Sequence, residues 1–187
     1  MAFQKYKRIA HYNVPGNWHE LTFSCFRGYP LLSKDRACQW LMDAIVNTCR
    51  KLNYSLVAYV FMPNHVHLIM KPRDETHDIA AFLTSVKLSV SKKAKLWLEK
   101  KDRAWLKKLT VSEAVGRKTF RFWQPGAGYD RNITDENTLV QMIDYIHNNP
   151  ARKGLVAEPS QWKWSSAGFY ATNDEMNLLD VDLSQIA

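Results

Sequence analysis

Cysteine is scarce and odd in number: Cys25, Cys38 and Cys49 stand far apart among apolar neighbours. That spacing excludes a disulfide framework and a four-thiolate zinc site, and leaves buried reduced thiols as the reading. No apolar run reaches the roughly 18 residues a membrane span requires. The opening Met-Ala-Phe-Gln-Lys-Tyr-Lys-Arg carries no apolar stretch of the kind that makes a signal peptide, so the chain is expected to be intracellular. Internal repeats and low-complexity segments are absent. Acidic side chains are in deficit, 18 against 26 Lys and Arg, for a net charge of +8. A balance of that sign favours a polyanionic partner, nucleic acid foremost, over an acidic or membrane one.

What is present is enough for one substantial core: 187 residues, 46% hydrophobic and 12% aromatic. A single domain over residues 1–172 is expected, with an irregular insertion at 100–118 and an acidic tail at 173–187. Trp18 to Phe26 is β-prone and broken by Arg27-Gly28-Tyr29-Pro30. Ser33 is placed to cap a helix whose apolar positions Ala37, Trp40, Leu41, Ala44, Ile45, Thr48 and Leu52 form one stripe. Tyr54 to Met62 and His65 to Lys71 flank Pro63-Asn64, which predicts an antiparallel hairpin. In its second strand His65, His67 and Ile69 share one face and Val66, Leu68 and Met70 the other. A second helix follows from Ile79, Phe82, Leu83, Val86, Val90, Ala94 and Trp97, with Lys87, Ser91 and Lys95 on another face. Phe120, Phe122 and Trp123 suit a strand ending at Gln124-Pro125-Gly126. Thr134 is placed to cap a last helix with the stripe Leu139, Met142, Ile143 and Ile146, and Tyr145 at its border.

Two imidazoles on one strand face bind a divalent ion usefully only when a third group converges on them. Asn149, one helical turn after Tyr145, offers a carboxamide oxygen. Two nitrogens and one oxygen with open positions suit Mg2+ or Mn2+ better than a closed structural zinc. An ion there can polarise a phosphodiester while a phenol attacks phosphorus. A free phenol titrates near 10, so Tyr145 needs a base or a nearby cation; His147, Arg152 and Lys153 are close in sequence. Lys87, Lys95, Arg121, Arg131, Arg152 and Lys153 are the candidate backbone-binding cations. Tyr12, Trp18, Trp123, Trp162 and Trp164 are candidates for base stacking, although most of these rings are expected to pack.

Four motifs carry a resemblance that spans nearly the whole chain. They are Met62-Pro63-Asn64-His65-Val66-His67-Leu68-Ile69, Phe122-Trp123-Gln124-Pro125 with Tyr129-Asp130-Arg131, Asp144 to Val156 around Tyr145-Ile146-His147-Asn148-Asn149-Pro150, and Trp162-Lys163-Trp164-Ser165-Ser166. In that order they resemble the HUH single-tyrosine transposases, and most of all the REP-associated tyrosine transposase group. The resemblance implies an α+β, ferredoxin-like antiparallel sheet with helices packed mainly on one face. It also implies His65 and His67 as metal ligands, Tyr145 as nucleophile and Asn149 as the polar third ligand. The substrate it implies is single-stranded or hairpin-forming repeat DNA in a bacterial cytoplasm, cut through a 5′-phosphotyrosine, by a protein expected to act as a monomer.

Two rivals use the same residues differently. One is a non-catalytic ferredoxin-like nucleic-acid-binding module with an incidental histidine pair; the other is an HUH replication initiator or relaxase. The acidic tail, with Asp174, Glu175, Asp180 and Asp182, is opposite in charge to the body and is read as a surface segment, with a cover for the DNA groove as the alternative.

Overall fold

The computed structural model describes residues 13–113, 116–126 and 128–172. Tyr12 and the acidic tail therefore lie outside the described residues. The elements relevant here are β1 (Trp18–Ser24), α1 (Asp35–Leu52), β2 (Tyr54–Phe61), β3 (His65–Pro72), α2 (Ile79–Lys101), α3 (Arg103–Leu109), β4 (Thr110–Ser112), β5 (Lys118–Phe120), β6 (Tyr129–Ile133), α4 (Glu136–His147), α5 (Asn149–Arg152) and α6 (Ala167–Thr172). The main sheet has the order β2-β3-β1-β6, and each of its neighbouring pairs is antiparallel. Strand-helix-strand-strand-helix with this order is the expected ferredoxin-like α+β arrangement. Among the described residues no helix is long and apolar enough to cross a membrane.

The strand period of two assigns the faces. Leu21 and Phe23 of β1 and Val66, Leu68 and Met70 of β3 point toward α1 and α2, where they join Leu41, Ile45, Phe82 and Val86 in the larger core. The two long helices are amphipathic, so they cover this one face and leave their polar sides to water. On the opposite face Val57, Ala58 and Ile69 meet Ile133 of β6 and Leu139, Ile143 and Ile146 of α4. The helix bearing Tyr145 thus lies on the same side of the sheet as His65 and His67.

β2 is an edge strand buried along its whole length. An open edge of that kind invites further strand pairing and is usually covered. Here the cover is Trp164 to Ser166: the Phe61 amide donates to the Trp164 carbonyl (2.8 Å), the Ser166 amide to the Tyr59 carbonyl (3.0 Å), and the Tyr59 amide to Ser166 Oγ (2.9 Å). The Trp-Lys-Trp-Ser-Ser motif is therefore an edge clamp. Its tryptophans are engaged in it, Trp162 Nε1 donating to the Phe61 carbonyl (3.0 Å) and Trp164 Nε1 to Asp35 Oδ1 (2.8 Å).

Several boundaries differ from expectation. The described residues of 100–118 are largely regular: α2 runs to Lys101, Asp102 caps α3 by accepting from the Trp105 amide (3.0 Å), and β4 pairs with β5. α1 starts after Lys34 with no side-chain cap, so Ser33 is not used. Asp135, not Thr134, caps α4, its Oδ1 accepting from the Thr138 amide (2.9 Å). Phe122 and Trp123 lie beyond β5, and the fourth strand of the main sheet is Tyr129–Ile133.

Candidate functional site

β3 presents His65 and His67 together because residues two apart on a strand share a face. Their ring centroids are 5.0 Å apart, nearly perpendicular at 82°. Each Nδ1 has a partner. His65 Nδ1 lies 2.7 Å from Asn64 Oδ1, an acceptor, so the proton sits on Nδ1 and the lone pair on Nε2. His67 Nδ1 lies 2.9 Å from Thr22 Oγ1, across the β1–β3 pairing in which Thr22 stands opposite His67. Partners on Nδ1 fix ring orientation and tautomer, the usual support of an imidazole that ligates through its other nitrogen. Burial disfavours the charged form of both rings. His67 is pushed down to about 4, by desolvation and then by His65, while His65 is lowered by desolvation and then by the charge of Lys153. Neutral imidazoles are the ligating form.

α4 brings Tyr145 over this pair. Its ring lies 6.5 Å from that of His67 at 88°, and the side chain is 44% exposed. The Arg152 guanidinium sits over the phenol ring at 5.2 Å, held there by the turn from α4 into α5. Pro150 does not swing Asn149 away. The proline occupies the first turn of α5, where its missing N–H costs nothing, and Asn149 stays buried against its own helix. Its Nδ2 donates to the carbonyls of Tyr145 (3.1 Å) and Ile146 (3.4 Å). Both amide hydrogens are thereby used, which leaves the carboxamide oxygen as the donor atom for a ligand. No group of three His, Cys, Asp or Glu able to hold a metal exists among the described residues. Two imidazole nitrogens with an uncharged amide oxygen would be a donor set that fits a hard divalent ion.

The other candidates divide. Arg152 and Lys153 adjoin the imidazoles and phenol. Arg131 is on the same face, opposite Glu20 in register, with its Nη1 3.6 Å from Met142 Sδ. Lys87 and Lys95 lie on α2, across the sheet: Lys87 Nζ donates to the Gly126 carbonyl (3.2 Å) and stands 5.0 Å over the Phe23 ring, and Lys95 pairs with Glu99 (3.8 Å). Arg121 is held in an ion pair with Glu113. Trp123 Nε1 donates to the Lys87 carbonyl (3.1 Å), so this ring packs. His147 is buried, its Nε2 2.7 Å from Ser166 Oγ and its ring against Tyr170, and so faces away from the phenol. Thr22, half-buried, and Glu20, buried, on the tyrosine side of β1, were not signalled by the sequence pattern. Only their register opposite His67 and Ile69 reveals them.

Residues 21–149 match the family described as Transposase IS200 like. The chain belongs to the IS200-like transposase family. The match takes in the histidine pair, the tyrosine and Asn149 at its last residue. A Haemophilus influenzae protein named as a REP-associated tyrosine transposase is 26% identical over 145 residues, which is 74% of this chain and 77% of that one. Among solved structures, a REP-associated tyrosine transposase bound to a REP hairpin superposes with a TM-score of 0.70 at 20% identity, over 92% of this chain and 90% of that one. That likeness extends the IS200-like fold across nearly the whole chain, well past the residues of the family match.

Proposed function

We propose that this transposase-family protein cleaves and rejoins single-stranded DNA beside hairpin-forming repeats, with Tyr145 as the nucleophile and a divalent metal held by His65, His67 and Asn149. The carrying observation is the exposed Tyr145 phenol lying 6.5 Å from the buried His67 ring, on the one face of the sheet where both imidazoles have their Nδ1 atoms engaged. A relative named as a REP-associated tyrosine transposase and a fold neighbour solved with a REP hairpin support this substrate class.

In this reading His65, His67 and Asn149 would hold Mg2+ or Mn2+. When bound, such an ion supplies positive charge to a non-bridging phosphate oxygen. The remaining work falls to the chain. Tyr145 Oη forms a bond to phosphorus and the bond from phosphorus to the 3′ oxygen breaks, giving a 5′-phosphotyrosine and a free 3′-hydroxyl. The phenol proton passes to solvent, which reaches this half-exposed side chain, and the departing 3′ oxygen takes up a proton. Arg152, over the phenol, meets the phosphate; Lys153, close enough to His65 to act on it, adds a second cation. No nucleotide cofactor is needed, because the covalent link conserves the phosphodiester energy for rejoining. The reading takes the protein to act as a monomer in the cytoplasm.

Incubation of labelled single-stranded repeat DNA with Mn2+ tests this. The expected product is a denaturant-resistant protein–DNA adduct that is absent for Tyr145→Phe. Binding of the same DNA without any adduct in the wild type would mean a non-catalytic binding module instead.

A further inference from the structure

On the far side of the sheet from Tyr145, α1, α2 and α3 enclose a pocket of about 200 Å³. Trp97 and Trp105 line it, with Arg36 at its rim. The Arg36 guanidinium lies 3.7 Å over the Trp97 ring. Trp105 also lines an adjoining open groove of about 620 Å³, where Arg27, Lys107 and Lys108 are the charged residues and no carboxylate is present. Lys108 Nζ stands 4.5 Å over the Trp105 ring. The one carboxylate in the pocket, Asp102, is engaged in capping α3. Among the described residues none of Arg27, Arg36, Lys107 and Lys108 is paired with a carboxylate, although Lys93, Lys95, Arg121 and Lys163 all are.

Four unpaired cations around two tryptophans is a poor arrangement for a structural surface and a good one for a single nucleic-acid strand. Aromatic faces and guanidinium planes stack unpaired bases, and the cations follow the backbone. Arg27 adds a second sign. It holds a left-handed conformation, φ 54°, that a side chain rarely adopts, and this strain is localised where β1 ends. That end of β1 adjoins the imidazoles: Ser24 is opposite His65, and the Cys25 amide donates to the Asn64 carbonyl (2.8 Å). Two residues further on is Arg27, about 7 Å along the chain.

We infer that the groove of Arg27, Lys107 and Lys108, with the Trp97–Trp105–Arg36 pocket beyond it, is a second DNA-contact site that tracks single-stranded DNA leaving the Tyr145 site and holds one unstacked base. This rests on the DNA-processing reading above and extends it to the opposite side of the sheet.

The test uses the full chain carrying Tyr145→Phe, so that binding is read without the covalent step and the result is separable from the proposed reaction. The probe is a labelled oligothymidylate of roughly twelve nucleotides, compared with a duplex of similar length. Trp105→Ala is expected to weaken single-strand binding by about tenfold, the loss of one stacked base, and to change duplex binding much less. Because Trp105 also packs on Tyr29, a second variant avoids the core: Lys107→Ala with Lys108→Ala should reduce the slope of log K against log salt by about 1.4, for two phosphate contacts on a single strand. Unchanged affinity in the first and an unchanged slope in the second overturn the site. An equal loss for duplex and single strand also overturns it, since the surface would then be only a general cationic patch. A wild-type protein that forms no adduct, with these variants still weakened, would refute the tyrosine chemistry and leave this site standing.

Discussion

Thr22→Val separates the support of the imidazoles from the imidazoles themselves. Valine keeps the shape of threonine and its β propensity, and removes only the oxygen 2.9 Å from His67 Nδ1. His67 is 7% exposed, so water cannot easily replace that partner. Leaving one buried ring nitrogen unpaired costs about 1–3 kcal/mol, which for a chain of this size lowers Tm by roughly 2–12 °C. On the proposed metal site the larger effect falls on metal affinity. With Nδ1 released, the ring loses its fixed tautomer and its orientation toward the ligand site, a change that typically costs 10–100-fold in metal affinity. Manganese titration followed by electron paramagnetic resonance reads this directly, and the Mn2+ concentration for half-maximal adduct formation reads it through function. A lowered Tm with Mn2+ affinity unchanged within about twofold would refute the reasoning, since Thr22 would then only fasten two strands together.

Two further outcomes follow from the same coordinates. At Gly128, φ is +87° and an added Cβ would meet the Thr22 carbonyl oxygen at 2.4 Å, so Gly128→Ala must displace β6 or β1; urea unfolding should show a loss of about 1–3 kcal/mol, and an unchanged midpoint would show that the turn simply relaxes. Burial holds the His147 imidazole near 4, below its ordinary 6.5. Between those values the unfolded chain binds a proton that the folded chain refuses, so this contribution is complete above pH 6.5 and is lost as pH falls to 4. Its full size is about 3 kcal/mol at 1.36 kcal/mol per pH unit. His147→Leu should remove up to one proton from the slope of unfolding free energy over that range, and an identical slope would mean the ring titrates as it does in water.

The parts of the fold that were legible in the sequence are those set by local periodicity. The stripe on α1, the hairpin around Pro63-Asn64 and the shared face of His65 and His67 each follow from spacing within one element. The features that escaped depend on contacts distant in sequence. Tyr-Asp-Arg-Asn-Ile has little intrinsic preference for a strand, and it becomes β6 because β1 would otherwise have an unpaired edge. Thr22 matters only through a register 45 residues long, which no local pattern encodes. At the start of α4, Thr134 and Asp135 both have capping chemistry, and adjacent candidates cannot be ranked before the backbone chooses one. The cations were the least legible group. Lys87 and Arg152 are alike as letters, yet one leans on Phe23 across the sheet while the other covers the phenol.

The helix that carries the tyrosine is seated on Val57, Ala58 and Ile69 of its own polypeptide, and the Tyr170 hydroxyl, just beyond the edge clamp, donates to the Val57 carbonyl at 2.7 Å. On the proposed chemistry, one copy then holds the phenol and both imidazoles together, with no borrowed part. Specific activity should then be the same in a dilute solution as in a concentrated one, and an inactive copy mixed in would subtract nothing from its active neighbours.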